Sequence, residues 1–280
     1  MHQIRIMKKA SRVTVTQSAW GIYLAILASC VPLAHGQNAV PTGPTLQVEG
    51  ARPVQEAVLH IIRMCNCVIT YEDPLYRYSG DLGPSAGADP VSTAAADAHP
   101  KWFELKGGSL RIAVPKTNRI PVRDVESILE KLVRDQTDAD DGGGQFRVKI
   151  DGNIFHVVPA EVRDSNGNWE IDRSILSVPI TLSKKVRTKG QMFEAICSAL
   201  SAVTHVTMVA LVDGGIVVDA PEARHYVLGA NHEPAARVLM RALSMMKTKR
   251  TWFLDYDPVH SFYVLNILRV SDIVKGSVKF

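Results

Sequence analysis

Pro53-Val54-Gln55-Glu56-Ala57-Val58-Leu59-His60-Ile61-Ile62-Arg63-Met64-Cys65 runs directly into Asn66-Cys67-Val68-Ile69-Thr70-Tyr71-Glu72-Asp73-Pro74. Val54, Ala57, Val58, Ile61, Ile62 and Cys65 recur at i, i+3, i+4, i+7, i+8 and i+11, which is one face of an α-helix, and Pro53 suits its first turn. Cys67 to Tyr71 is rich in β-branched and aromatic residues and reads as a strand, ended by Glu72-Asp73-Pro74. A helix with a single apolar stripe followed by a strand needs a sheet to cover, and this pairing decides the fold class.

The same order recurs along the chain. Leu110-Arg111-Ile112-Ala113-Val114 alternates as a strand does. Pro121 opens a second helix with Val122, Val125, Ile128, Leu129, Leu132 and Val133 on one face. The hairpin Phe146–Ile150 and Asn153–Val157 turns at Asp151-Gly152, a pair that favours a tight primed turn. It places Phe146, Val148, Phe155 and Val157 on one face, with Arg147, Lys149 and His156 on the other. Ser177–Leu182 reads as a strand, and Thr188 with Gln191 forms a capping box for a third helix carrying Phe193, Ile196, Leu200 and Val203. Val206–Val212 and Ile216–Asp219 form a hairpin across Asp213-Gly214. Pro234 starts a fourth helix, and a last hairpin joins Thr251–Tyr256 to Phe262–Val270. The pieces Val68–Pro74 and Phe253–Pro258 are alike, each following a helix, which is a weak internal repeat.

These readings predict an α+β protein of repeated α-β-β units, with mainly antiparallel sheets and helices packed on one face. Two similar layers are expected: an N-terminal region over 37–172, with a flexible loop at about 81–100 rich in Gly, Ala, Ser, Asp and Pro, and a C-terminal region over 173–280.

The first residues have a different character. Arg5, Lys8, Lys9 and Arg12 precede the apolar run Ala19–Ala28, and Ala34-His35-Gly36 ends in small residues. This is the pattern of a secretion signal spanning 1–36, cleaved between Gly36 and Gln37. The apolar run is shorter than the ~20 residues of a membrane-crossing helix, and no later stretch approaches that length, so the mature chain is expected to have no transmembrane span. Leu27-Ala28-Ser29-Cys30 also resembles a lipobox, which would instead make Cys30 a lipidated first residue. The expected location is periplasmic or secreted, with lipid anchoring through Cys30 as the alternative. The chain has 32 basic and 28 acidic residues. Removing the signal leaves 28 of each, so the mature protein lacks the net basic footprint of a nucleic-acid binder.

Leu46-Gln47-Val48, Pro53–Leu59 and Val68–Tyr71 resemble the opening half of the short N-terminal (STN-type) domain of secretins and TonB-dependent receptors. Met192–Leu200, Val206-Thr207-Met208 and Ile216-Val217-Val218 resemble its closing half. Over a hundred residues separate the two stretches, where the family has them contiguous. The glycine usual between helix and strand is replaced by Asn66 and by Thr204-His205. The resemblance implies a periplasmic domain of small βαβ units that contacts a partner protein, without catalysis, and it transfers no site residues.

Several groups invite chemistry. Cys65-Asn66-Cys67 offers two soft ligands that, with His60, would suit copper or zinc, but no second Cys or His pair follows at zinc-site spacing. Burial is the reading adopted for these cysteines, with a bridge from Cys197 to one of them as an alternative; three mature cysteines must leave at least one thiol unpaired. His225 and His232 are read as members of a solvated loop. Glu72, Asp73, Asp255 and Asp257 lie at strand ends and could flank a cleft, yet both Asp-Pro pairs are explained by turns. There is no G-x-S-x-G elbow, and Asp141-Gly142-Gly143-Gly144 lacks the Lys and Ser/Thr of a phosphate loop. Lys184–Lys189 and Lys247–Arg250 are basic clusters at helix ends, the second placed to offset a helix dipole. No catalytic residue, metal ligand or cofactor is assigned. The expectation is a non-enzymatic binding or scaffolding module contacting an envelope protein. The alternatives are an extracytoplasmic hydrolase with a cleft between the two regions, and a soft-metal carrier using Cys65 and Cys67.

Overall fold

The computed structural model describes residues 45–84, 103–115, 119–139, 144–213, 215–216 and 224–278. The signal, Cys30, Gly36 and Gln37, most of the loop at 81–100 and the Asp141–Gly143 segment lie outside them. The chain forms β1 (Thr45–Gly50), α1 (Pro53–Cys65), β2 (Val68–Glu72), β3 (Leu82–Pro84), β4 (Phe103–Leu105), β5 (Gly108–Ala113), α2 (Val122–Ala139), β6 (Gln145–Asp151), β7 (Ile154–Arg163) and β8 (Trp169–Ile171). It continues with β9 (Pro179–Thr188), α3 (Lys189–Thr204), β10 (Thr207–Val212), β11 (Gly215–Ile216), β12 (His225–Pro234), α4 (Ala235–Ser244), β13 (Arg250–Asp257), β14 (Phe262–Arg269) and α5 (Val270–Val274). This is an α+β fold.

Two halves repeat the same plan. In the first, β1 pairs antiparallel with β5, β2 runs parallel to β7, and β6–β7 is a hairpin. In the second, β9 pairs antiparallel with β12, β10 runs parallel to β14, and β13–β14 is a hairpin. One helix precedes each central strand and another precedes each hairpin. The helix-to-strand turns match as well. Asn66 (φ 49°) and His205 (φ 58°) both take the left-handed conformation that glycine would adopt most cheaply.

The halves lie edge to edge in one eight-stranded sheet, not as stacked layers. Its order is β11-β10-β14-β13-β2-β7-β6, with β8 added to β7. Both halves contribute their three strands in the same lateral order but with reversed directions, because β13 is parallel to β2 and antiparallel to β14. A half-turn about an axis running across the strands therefore relates them. That operation also exchanges the faces of the sheet. Helices α1 and α2 of the first half and α3 and α4 of the second pack on opposite faces, while the C-terminal α5 crosses to the face of α1 and α2.

The cores follow this geometry. Ala57, Val58 and Ile61 of α1, Leu129 and Leu132 of α2 and Ile273 of α5 pack with Ile69, Tyr71, Val157 and Phe253 on one side. Phe193, Ile196 and Leu200 of α3 and Val238 and Leu239 of α4 pack with Trp252, Leu254, Leu265 and Ile267 on the other. Alternation along β13 sends Phe253 to the first core and its neighbours Trp252 and Leu254 to the second, so this strand belongs to both. The resembling pieces Val68–Pro74 and Phe253–Pro258 are neighbours in space: Phe253 stands opposite Tyr71, and Leu254 opposite Glu72.

The capping box at Thr188 and Gln191 forms as expected. His225 and His232 differ from expectation: they lie on β12, not in a loop, although both are exposed. The pairing of β12 with β9 is interrupted by two register shifts, which break the alternation a strand normally shows in sequence.

Phe253 is fully buried at the contact between the halves. Phe253→Ala is expected to lower unfolding free energy by about 3–5 kcal/mol, measured by denaturant titration. Both halves should still melt in a single transition.

Candidate functional site

The contact between halves is organised around one carboxylate. Asp73 follows β2, and its side chain is completely buried. Its Oδ2 accepts from Arg52 Nε at 2.6 Å and from the Tyr256 amide at 2.9 Å, and its Oδ1 accepts from Tyr71 Oη at 2.6 Å. Arg52 Nη2 also donates to the Tyr256 carbonyl at 2.6 Å. Arg52, Tyr71 and Asp73 come from the first half and Tyr256 from the second, so the cluster fastens the seam. Nearby, Asp255 accepts from Gln55 Nε2 and from Asn266 Nδ2, both at 2.7 Å, which again joins the halves. Burial, reinforced by the Asp73 charge, pushes the Asp255 carboxyl up to about 7 against the opposing pull of Arg52. Each carboxylate is tied to neighbours at all its oxygens, as buried charges require.

Of these groups Arg52, Asp255, Tyr256 and Asn266 form the wall of a cleft of about 430 Å³ at the seam, lined also by Leu105 and His260 among others. Asp257 stands at its rim, where the turn expected there forms: Oδ1 accepts from the Val259 and His260 amides at 2.9 and 3.0 Å, and Oδ2 lies 2.8 Å from His260 Nδ1. The four strand-end acids thus separate. Asp257 is a turn residue. Asp73 and Asp255 are seam residues, and Glu72 points to the other face of the sheet.

Glu72 borders a smaller cavity of about 200 Å³, together with Thr70, His156, Ser174 and Trp252. Its oxygens accept from Ser174 Oγ and the Ile175 amide, each at 2.6 Å. Burial outweighs these bonds and raises its carboxyl to about 7. His156 is 2.8 Å from Thr70 Oγ1 and its ring lies 5.6 Å from that of Trp252; burial lowers its pKa. The serine hydroxyl here is bonded to the acid and the histidine to a threonine, so no serine–histidine–acid relay is assembled.

The remaining candidates resolve individually. Cys65 and Cys67 form a disulfide with each other, in place of simple burial or a bridge to Cys197, and Cys197 is free and buried. The bonded sulfurs are unavailable as thiolate ligands. Among the described residues no group of three His, Cys, Asp or Glu side chains could hold a metal ion, and no helix is long and apolar enough to cross a membrane. Of the basic clusters, Lys184–Lys189 runs along β9, where Lys184 and Lys185 are exposed, and ends at Lys189, the first residue of α3. In the second cluster Arg250 binds Asp213 at 2.7 Å and Lys249 donates to the Asn66 carbonyl, so these two residues join strands and loops. Burial opposes ionisation of Asp213, but hydrogen bonds from Arg250 and Lys189 bring its carboxyl down to about 2. Arg52, Gln55 and Asn266 had no sequence signal, because their meaning depends on strands brought together from opposite ends of the chain.

Two tests follow from this electrostatics. Removing the Asp73 charge leaves Arg52 without its partner, so Asp73→Ala is expected to cost about 3–5 kcal/mol in denaturant titrations. The buried acids set a pH profile. Glu72 and Asp255 hold protons in the folded state that the unfolded chain has released, so stability falls as pH rises from about 4 to 7. Asp213 acts oppositely, its contribution being present above about 4 and lost as pH falls toward 2. Glu72→Gln is expected to flatten the descending limb by on the order of 3 kcal/mol, read from melting at pH 5 and pH 8.

No protein-family model, curated protein or solved structure matches this chain.

Proposed function

We propose that the protein is a non-enzymatic extracytoplasmic module that binds or scaffolds an envelope protein through the seam cleft. The observation that supports this reading is the state of the cleft wall. The oxygens of Asp255 accept from Gln55 and Asn266, and Arg52 is engaged by Asp73 and the Tyr256 carbonyl. A wall of mutually engaged groups offers a fixed shape and charge pattern, which suits recognition more than turnover. The likeness of Leu46-Gln47-Val48, Pro53–Leu59 and Val68–Tyr71 to the short N-terminal domain of secretins and TonB-dependent receptors points to the same kind of role. The basic, apolar and small-residue pattern of residues 1–36 favours a periplasmic or secreted location, with anchoring through Cys30 as the variant.

A second reading, an extracytoplasmic hydrolase using the same cleft, is favoured by Asp255 alone, since an acid held at about 7 can exchange protons near neutral pH. If the cleft turns over a cell-wall substrate, Asp255→Asn removes that turnover.

The binding reading is tested by placing a photo-crosslinking side chain at Val259, which lines the cleft and is 42 % exposed, or at Val274, which is 39 % exposed on α5, in the full precursor. After irradiation of intact bacterial cells, Val259 is expected to give one reproducible envelope-protein adduct and Val274 none. No adduct from Val259, or the same adducts from both positions, would overturn it.

A further inference from the structure

The Cys65–Cys67 disulfide joins residues two apart and bridges the end of α1 to the start of β2. Closing so short a loop removes little entropy from the unfolded chain, so the bond does little to hold the fold. The backbone around it is already pinned without it. The Asn66 amide donates to the Ile62 carbonyl at 2.8 Å, the Ile120 amide donates to the Met64 carbonyl at 3.1 Å, and Lys249 Nζ donates to the Asn66 carbonyl. The dithiol form would therefore keep its two sulfurs close together, ready to close again.

The two sulfurs are not equivalent. Cys67 is buried, at 3 % exposure, whereas Cys65 is partly open to solvent. The Cys67 amide donates toward Cys65 Sγ at 3.2 Å, and the Lys249 ammonium is held at the peptide between the cysteines. Both favour a thiolate over a thiol.

We propose that Cys65 and Cys67 form a dithiol–disulfide exchange site acting on a client that carries two thiols, with the partly exposed Cys65 as the sulfur attacked. A client thiolate attacks Cys65 Sγ and forms a mixed disulfide, while the electron pair of the broken S–S bond passes to Cys67, which takes a proton from solvent. A second client thiolate, its proton likewise lost to solvent, attacks the client sulfur of the mixed disulfide, closing the client disulfide and releasing Cys65 as a thiolate that takes up the second proton. The client loses two electrons and two protons, and the Cys65–Cys67 pair gains them. The activity goes beyond the binding reading and does not depend on the seam cleft.

The test uses protein purified after expression of the full precursor, equilibrated in glutathione buffers from fully oxidised to fully reduced. Acid quenching, alkylation and peptide mapping would then read Cys65 and Cys67 separately from Cys197. The pair is expected to open within the glutathione range with an unchanged circular dichroism spectrum. Against glutathione disulfide, Cys67→Ser is expected to trap a mixed disulfide at Cys65 at least tenfold faster than Cys65→Ser does at Cys67, and Lys249→Gln in the Cys67→Ser background slows trapping several-fold. A bond that stays closed at every ratio, one whose opening unfolds the protein, or equal trapping by the two single-cysteine variants would overturn the proposal.

Discussion

The buried carboxylate of Asp73 is the constraint on which the arrangement of this molecule depends. An ionised group without water must find its hydrogen bonds within the protein, and Asp73 draws them from Arg52, from the Tyr71 hydroxyl and from the amide of Tyr256. Two of these donors belong to the first half and the third to the second. The carboxylate is satisfied only when β2 and β13 lie side by side, so it specifies the seam as well as strengthening it. The Asp73 amide donates to the Leu254 carbonyl and the Thr251 hydroxyl to the Ile69 carbonyl, extending the contact along the strands.

From that seam the architecture follows. A strand pairing in the parallel sense joins two units of like topology, and their opposite orientations put α1, α2 and α5 on one face and α3 and α4 on the other. β2 and β13 become interior strands, which explains why Ile69, Thr70, Tyr71 and Glu72 are all buried, as are Arg250 to Leu254. The outer edges are handled differently. The two residues of β11 cover Leu211 and Val212 of β10, and the far edge strand β6 carries Arg147 and Lys149, whose charge discourages unintended strand addition. The cleft is a further consequence: it opens where Ala51, Arg52 and Leu105 of one half meet Asp255 to His260 of the other.

The same dependence explains which parts of the candidate site were legible. Helices α1 and α2, the hairpin at Asp151-Gly152 and the capping box at Thr188 are written in local spacing, and local spacing survives folding. Asp257 also behaves as its Asp-Pro turn suggests, because its partners are the amides two and three residues on. Asp73-Pro74 carries the same dipeptide but finds partners 21 and 183 residues away, and no local rule distinguishes the two. His225 and His232 were misplaced for a related reason: the register shifts between β12 and β9 erase the alternation that marks a strand.

By itself the sequence determined the identity and order of most elements, the apolar stripe of each long helix and the α+β class, because these rest on periodicity and turn chemistry within a dozen residues. Only the tertiary structure decided that the halves share one sheet, that they are related by a half-turn, and that Asp73, Arg52 and Asp255 meet at the seam. It also decided that Cys65 bonds to Cys67 and leaves Cys197 alone in the core. The seam contacts join residues about two hundred positions apart, whose spacing along the chain carries no trace of their distance in space, and even the adjacent cysteines pair as they do because the fold holds Cys197 away in the other core.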